Sequence, residues 1–102
     1  MYIAMNQFRV NPERASDFEK MWEERDSYLN EVPGFKSFHL LKGALEEDVQ
    51  VYISHSIWQN EETFTDWTQS EAFQKAHARG GSPSGTLLGP PKFSGWQVVL
   101  EK

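Results

Sequence analysis

The sequence contains no cysteine, which removes disulfides, thiolate metal sites and a cysteine nucleophile from consideration and fits a reducing compartment. It has no basic run either. With 10 Lys+Arg against 15 Asp+Glu the formal net charge is -5, so nucleic acid and anionic membrane surfaces are not expected partners. No apolar stretch approaches the ~18 residues of a spanning helix, and the opening MYIAMNQFRV lacks the basic and apolar regions of a signal peptide; a cytoplasmic protein is expected. A phosphate-binding loop is missing too. The Gly, Ser and Pro-rich stretch RGGSPSGTLLGPPK has no Gly-Lys-Ser/Thr ending and no helix after it, and no nicotinamide or flavin fingerprint occurs elsewhere. At 102 residues the chain is one domain, 1–102, so any cofactor must share its single core.

Aromatic residues, by contrast, are abundant: 4 Trp, 7 Phe and 3 Tyr suit a large core, an interface or a flat apolar ligand. Tyr2 to Val10 alternates as a strand, with Tyr2, Ala4, Asn6, Phe8 and Val10 on one face. Asn6 is the misfit in that row, and its amide must bond neighbouring backbone or a ligand. Asn11 and Pro12 open a helix whose apolar stripe runs through Ala15, Phe18, Met21, Trp22, Arg25, Tyr28 and Leu29. The opposite face, with Glu19, Glu23, Asp26 and Glu31, reads as solvated. Arg25 falls inside the stripe, where it snorkels or pairs with a Glu, and Trp22, one turn earlier, reads as core.

Val32, Pro33 and Gly34 end the helix and lead into a strand over Phe35 to Lys42, a loop over Gly43 to Asp48, and a third strand over Val49 to Trp58. His39 and His55 lie on these strands. Neither has a second metal-type ligand at a recognisable spacing, so no zinc or non-haem iron site is proposed from sequence. A last strand covers Phe93 to Leu100, and the loop before it is longer than most connections. The order β-α-β-β-α(α)-β is the split pattern of an α+β, ferredoxin-like fold with an antiparallel sheet. Both sheet faces carry apolar residues but helices cover only one, so a second copy related by a two-fold axis is expected on the other.

The segment from Asn60 to Arg79, NEETFTDWTQSEAFQKAHAR, carries most of the remaining chemistry. Asn60 caps a helix with Glu61 and Glu62 in its first turn and Phe64 and Trp67 at helical spacing. Ten residues separate Trp67 from His77, which in one straight helix leaves them roughly 80° apart around the axis. A second N-cap at Ser70 therefore predicts two short helices, the second through Phe73, Ala76 and His77 and ending at Arg79 before Gly80 and Gly81. The bend lets Trp67 and His77 face one space. A histidine near a helix C-terminus is also favoured there by the dipole alone, and a Trp is commonly a core anchor.

The pattern F-x-x-W then S-x-x-F-x-x-A-H, here Phe64, Trp67, Ser70, Phe73, Ala76 and His77, with Asn6 on the first strand and a Pro33-Gly34-Phe35 turn between, resembles the IsdG-type haem-degrading enzymes of the antibiotic biosynthesis monooxygenase superfamily. The resemblance spans nearly the whole chain. It implies a homodimeric α+β barrel, haem as both substrate and cofactor, and His77 as axial ligand of the haem iron. It further implies that Trp67 presses the macrocycle out of plane, that Asn6 faces the distal side, that Arg25 lies near a propionate and that Trp22 lines the pocket. Electrons would then come from an external reductant or reductase. Other classes fit the same residues. A metal-free monooxygenase acting on a quinol or phenol would use His77 as a base, a haem carrier or sensor would bind without turnover, and a structural dimer module would need no site.

Overall fold

Among the described residues the strands and α-helices follow in the order β1 (Tyr2–Val10), α1 (Ala15–Glu24), β2 (Phe35–Glu46), β3 (Val49–Trp58), α2 (Glu61–Thr68) and β4 (Lys92–Gln97). They are taken from a computed structural model that describes residues 1–25, 29–71, 73–74 and 85–102. The strands form an antiparallel sheet in the order β2-β3-β1-β4, with α1 and α2 on one side. This is the expected α+β, ferredoxin-like arrangement.

The period-2 reading of β1 and β3 holds. Tyr2, Ala4, Phe8 and Val10 are buried with Gln50, Tyr52, Ser54 and Trp58, and the register pairs these rows directly, so they share the helix-facing side. Two clusters fill that side. Under α1, Phe8, Val10, Phe18 and Tyr52 pack with Met21, Trp22 and Leu40; under α2, Tyr2, Ala4 and Trp58 pack with Phe35, Phe64 and Trp67. Phe18, Tyr52 and Trp58 are almost wholly removed from water, each contributing roughly 1.5–3 kcal/mol relative to exposure.

Helix α1 differs from the expected stripe. Asn11 does accept from the Glu13 N–H, but Pro12–Arg14 form a 3-10 turn before α1 begins. The helix stops at Glu24, because Arg25 turns to an extended backbone (φ -69°, ψ 125°) and its N–H bonds back to Trp22 O. Arg25 is thus the cap residue and not a helical one, Leu29 starts a separate 3-10 turn, and Tyr28 and Asp26 lie outside the described residues. Glu19, expected on a solvated face, accepts a hydrogen bond from the buried Tyr52 hydroxyl and lies 3.6 Å from Lys42 Nζ. Burial, and then the Glu19 carboxylate, push the Tyr52 phenol well above its ordinary range.

Strand β2 is longer than the sequence suggests. Its pairing with β3 continues past a bulge between Lys42 and Leu45 to a tight turn at Glu47 and Asp48, both at positive φ, where a loop was expected. Gln50 holds the bulge, its Nε2 donating to Gly43 O at 2.7 Å. Strand β4 ends at Gln97 and not at Leu100, leaving Val99 and Leu100 exposed. The end of the long loop is tied to β1, with Asn11 N–H to Thr86 O and Leu88 N–H to Arg9 O, both 2.8 Å, and Thr86 fully buried.

Candidate functional site

Asn6 lies in the row between the two core clusters. Its register partners are Ser54 on β3 and Phe93 on β4, and Leu40 lies beyond Ser54 on β2. Phe8 belongs to the cluster carrying Trp22, and Ala4 to the cluster carrying Trp67. The amide is half-buried and makes no side-chain hydrogen bond among the described residues, which leaves its donor and acceptor unspent in an apolar neighbourhood.

On one side of this seam, Trp22 stacks on Phe38 with centroids 5.4 Å apart and planes 22° apart, and the Arg25 guanidinium carbon sits 4.3 Å from the Trp22 ring. Burial holds the Arg25 pKa below its ordinary value, the sign of a desolvated cation. The Trp22 indole N–H is buried and has no acceptor among the described residues. A carboxylate arriving at this edge would accept from the Trp22 indole N–H beside a desolvated guanidinium.

On the other side, Trp67 lies on Trp58 at 5.4 Å and receives the edge of Phe73 at 4.8 Å and 87°. Local capping places it. Asn60 accepts from Thr63 N–H at 2.9 Å in a reciprocal capping box that starts α2. The helix breaks after Thr68, and Ser70 Oγ accepts from Phe73 N–H at 3.2 Å while donating to Trp67 O at 2.6 Å. The second N-cap expected at Ser70 is therefore present, with Gln74 N–H returning to Ser70 O. Ala76, His77 and Arg79 lie outside the described residues.

Gly34 sets where α2 starts against the sheet. At φ +83° it occupies a left-handed backbone, and a Cβ there would come within 2.5 Å of Thr63. Its carbonyl accepts from Gln59 N–H at 2.8 Å, so the Pro33-Gly34 turn is locked onto the entry to α2.

The structure thus brings Asn6, Trp22, Arg25 and Trp67 to the helix-facing side of one sheet. Phe73 belongs to the sequence pattern, whereas Phe38 and Phe93 were not singled out as pocket residues, although alternation puts Phe38 on the side of Leu40 once the register is known. Among the described residues no group of three His, Asp or Glu could hold a metal ion, and no helix is long and apolar enough to cross a membrane. A groove of about 560 Å³ lined by Gln7, Arg9, Glu46, Glu47, Val49 and Val51 lies on the opposite sheet face and is separate from this site.

Residues 1–79 match the family model described as antibiotic biosynthesis monooxygenase. The chain belongs to that family. Solved structures of similar fold include MhuD, a heme-degrader from Mycobacterium tuberculosis with two hemes in its active site: 24% identity, TM-score 0.78, covering 100% of this chain and 99% of that one. A MhuD mutant with two manganese protoporphyrin IX bound per active site has 22% identity and TM-score 0.80, covering 100% of this chain and 98% of that one. SnoaB from Streptomyces nogalater, a cofactor-independent oxygenase, has 15% identity and TM-score 0.71, covering 98% of this chain and 94% of that one. The antibiotic biosynthesis monooxygenase fold thus hosts a heme-degrader and an enzyme that uses no cofactor, and the side chains of this chain must separate the two.

Proposed function

We propose that this monooxygenase-family protein binds haem between its helices and sheet and cleaves the porphyrin oxidatively, releasing iron. The observation that carries the reading is the uncommitted Asn6 amide at the seam between the Trp22 and Trp67 walls, since a flat apolar ring needs two such walls and few polar contacts. The buried Trp22 N–H beside Arg25 supports a place for a propionate. The fold of MhuD supports it further.

In this reading His77 holds the haem iron through a neutral imidazole nitrogen. Bound haem supplies the iron centre for dioxygen chemistry and is itself the substrate consumed. Trp67, buttressed by Trp58 and Phe73, would form a rigid wall against one side of a bound ring, because those neighbours leave it little room to turn. Asn6 offers its side-chain N–H across the cavity, where a hydrogen bond counts for more than in water. Arg25 and Trp22 orient the carboxylate edge. An external reductant supplies electrons in the cytoplasm. A second copy covers the open sheet face, where Ile3, Met5, Ile53 and Ile57 are only half-buried and Leu41 and Trp96 are 43% and 55% exposed.

Titration with hemin tests the proposal. A Soret band that saturates, and is then lost under ascorbate and oxygen, is the expected result. No Soret band would overturn it and favour oxidation of a phenol or quinol, the reading to which the fold of SnoaB lends support. A stable band under reductant and oxygen would leave a haem carrier.

A further inference from the structure

The row of side chains that crosses the sheet through Asn6 holds a second polar group. From β2 to β4 it reads Leu40, Ser54, Asn6 and Phe93, apolar on the edge strands and polar on the two central ones. Ser54 lies on the helix-facing side with Tyr52 and Trp58 and is only 7% exposed. Its hydroxyl makes no hydrogen bond among the described residues.

Ser56, the next residue on the same face of β3, shows what a spent hydroxyl does. It accepts from the buried Trp58 indole N–H at 2.9 Å and donates to Ala4 O at 3.3 Å. Ser54 has neither kind of partner, although a hydroxyl offers one donor and two acceptor positions. It differs also from Thr86, whose unpaired hydroxyl is wholly enclosed, because part of Ser54 stays open. A hydroxyl so largely buried costs free energy until something meets it.

Building on the haem reading, we propose that Ser54 is a second hydrogen-bond donor, beside Asn6, to a small ligand of the haem iron. Directly opposed residues on antiparallel strands hold their Cβ atoms about 4.5–5.5 Å apart, so two short polar side chains that do not bond each other bracket one small guest. In the haem-free protein that guest is a water. With haem bound it is a two-atom or anionic ligand, and the turning hydroxyl gives it a donor at a second angle from the amide. Two donors favour ligands on which negative charge builds and penalise an apolar group of the same size.

The test uses the full chain loaded with hemin, with carbon monoxide on the reduced iron and cyanide on the oxidised iron as probes. Donors aimed at bound carbon monoxide lower its C–O stretching frequency, so Ser54→Ala should raise it, and Ser54→Thr, which keeps the hydroxyl, should restore it. Cyanide should bind the alanine variant about two- to tenfold more weakly, the loss of one hydrogen bond. In the haem-free chain Ser54→Ala should leave the urea midpoint unchanged or higher, whereas Ser56→Ala, which strands the Trp58 N–H, should lower it. The role of Ser54 is overturned if its alanine variant loses as much stability as Ser56→Ala, or if stretching frequency and cyanide affinity stay as in the unaltered chain; both outcomes leave the haem reading standing. No Soret band with hemin in the unaltered chain would overturn that reading and this donor with it.

Discussion

Replacing Asn6 by Leu separates a structural amide from a working one by the sign of its effect on stability. A buried amide bonded to its own protein costs about 1–3 kcal/mol when removed, because the partner is left unsatisfied. Asn6 makes no such bond among the described residues, and it stands half-buried between Ala4 and Phe8. Leucine branches at the same carbon as asparagine and is larger, so at a half-buried position the change opens no cavity and adds apolar contact. Stability should therefore stay the same or rise by up to roughly 1 kcal/mol. Haem turnover should move the other way. Loss of one donor aimed at developing charge lowers rate by about 10²–10³-fold, and a water taking its place would bring the loss nearer tenfold. Urea unfolding followed by Trp fluorescence, at one fixed protein concentration so that any association is held constant, gives the first quantity; the decay of the Soret band under ascorbate gives the second. A stability loss above about 1 kcal/mol would show the amide to be a structural group, and unchanged turnover would remove it from the site.

Gly34→Ala should lower stability by about 2–4 kcal/mol, combining left-handed strain with displacement of Thr63 from the capping box, and a midpoint shift equivalent to less than 1 kcal/mol would contradict the packing at that turn. Tyr52 has its ionisation disfavoured in the folded state, so the stability it contributes is complete below the phenol's unfolded value of 10.0 and is lost as pH rises above it; Tyr52→Phe should flatten the decline in urea midpoint between pH 9 and pH 11. Trp67→Ala should bind haem yet degrade it more slowly, and the same rate in both proteins would deny the indole its role. His77→Ala should lose the Soret shift of axial ligation, and an unaltered spectrum and affinity would refute that ligand.

Local signals carried the order of elements. Asn60 and Ser70 are N-caps in the sequence and in the structure because capping depends on residues within one turn. Alternation in β1 and β3 placed Asn6 on the face of Tyr52 and Trp58 for a similar reason, since pleating has a period of two wherever the strand goes. Features that depend on a distant partner were not legible. The stripe from Ala15 to Leu29 reads as one helix, yet the chain leaves it at Arg25, where the guanidinium lies over Trp22. Strand β2 outlasts its alternation because Gln50, across the hairpin, bonds Gly43 at the bulge. The stacking of Phe38 on Trp22 and the pairing of His39 with His55 likewise follow from register, which no spacing within one strand reveals. His77, the residue on which the resemblance leans most, lies outside the described residues.

The helix side of the sheet is filled by two separate clusters, with Asn6 in the row between them. Each end of the sheet is closed by its own helix. Tyr52 packs on Phe18 of α1 and is bonded to Glu19 of the same helix, and Tyr2 and Trp58 pack under Phe64 of α2. Apolar burial is concentrated at the ends, and the central row holds a half-buried amide with no side-chain hydrogen bond among the described residues, at a cost of up to roughly 1 kcal/mol. A continuous core through Asn6 would bring more stability and leave no room for a flat ligand, the usual trade between stability and a working site.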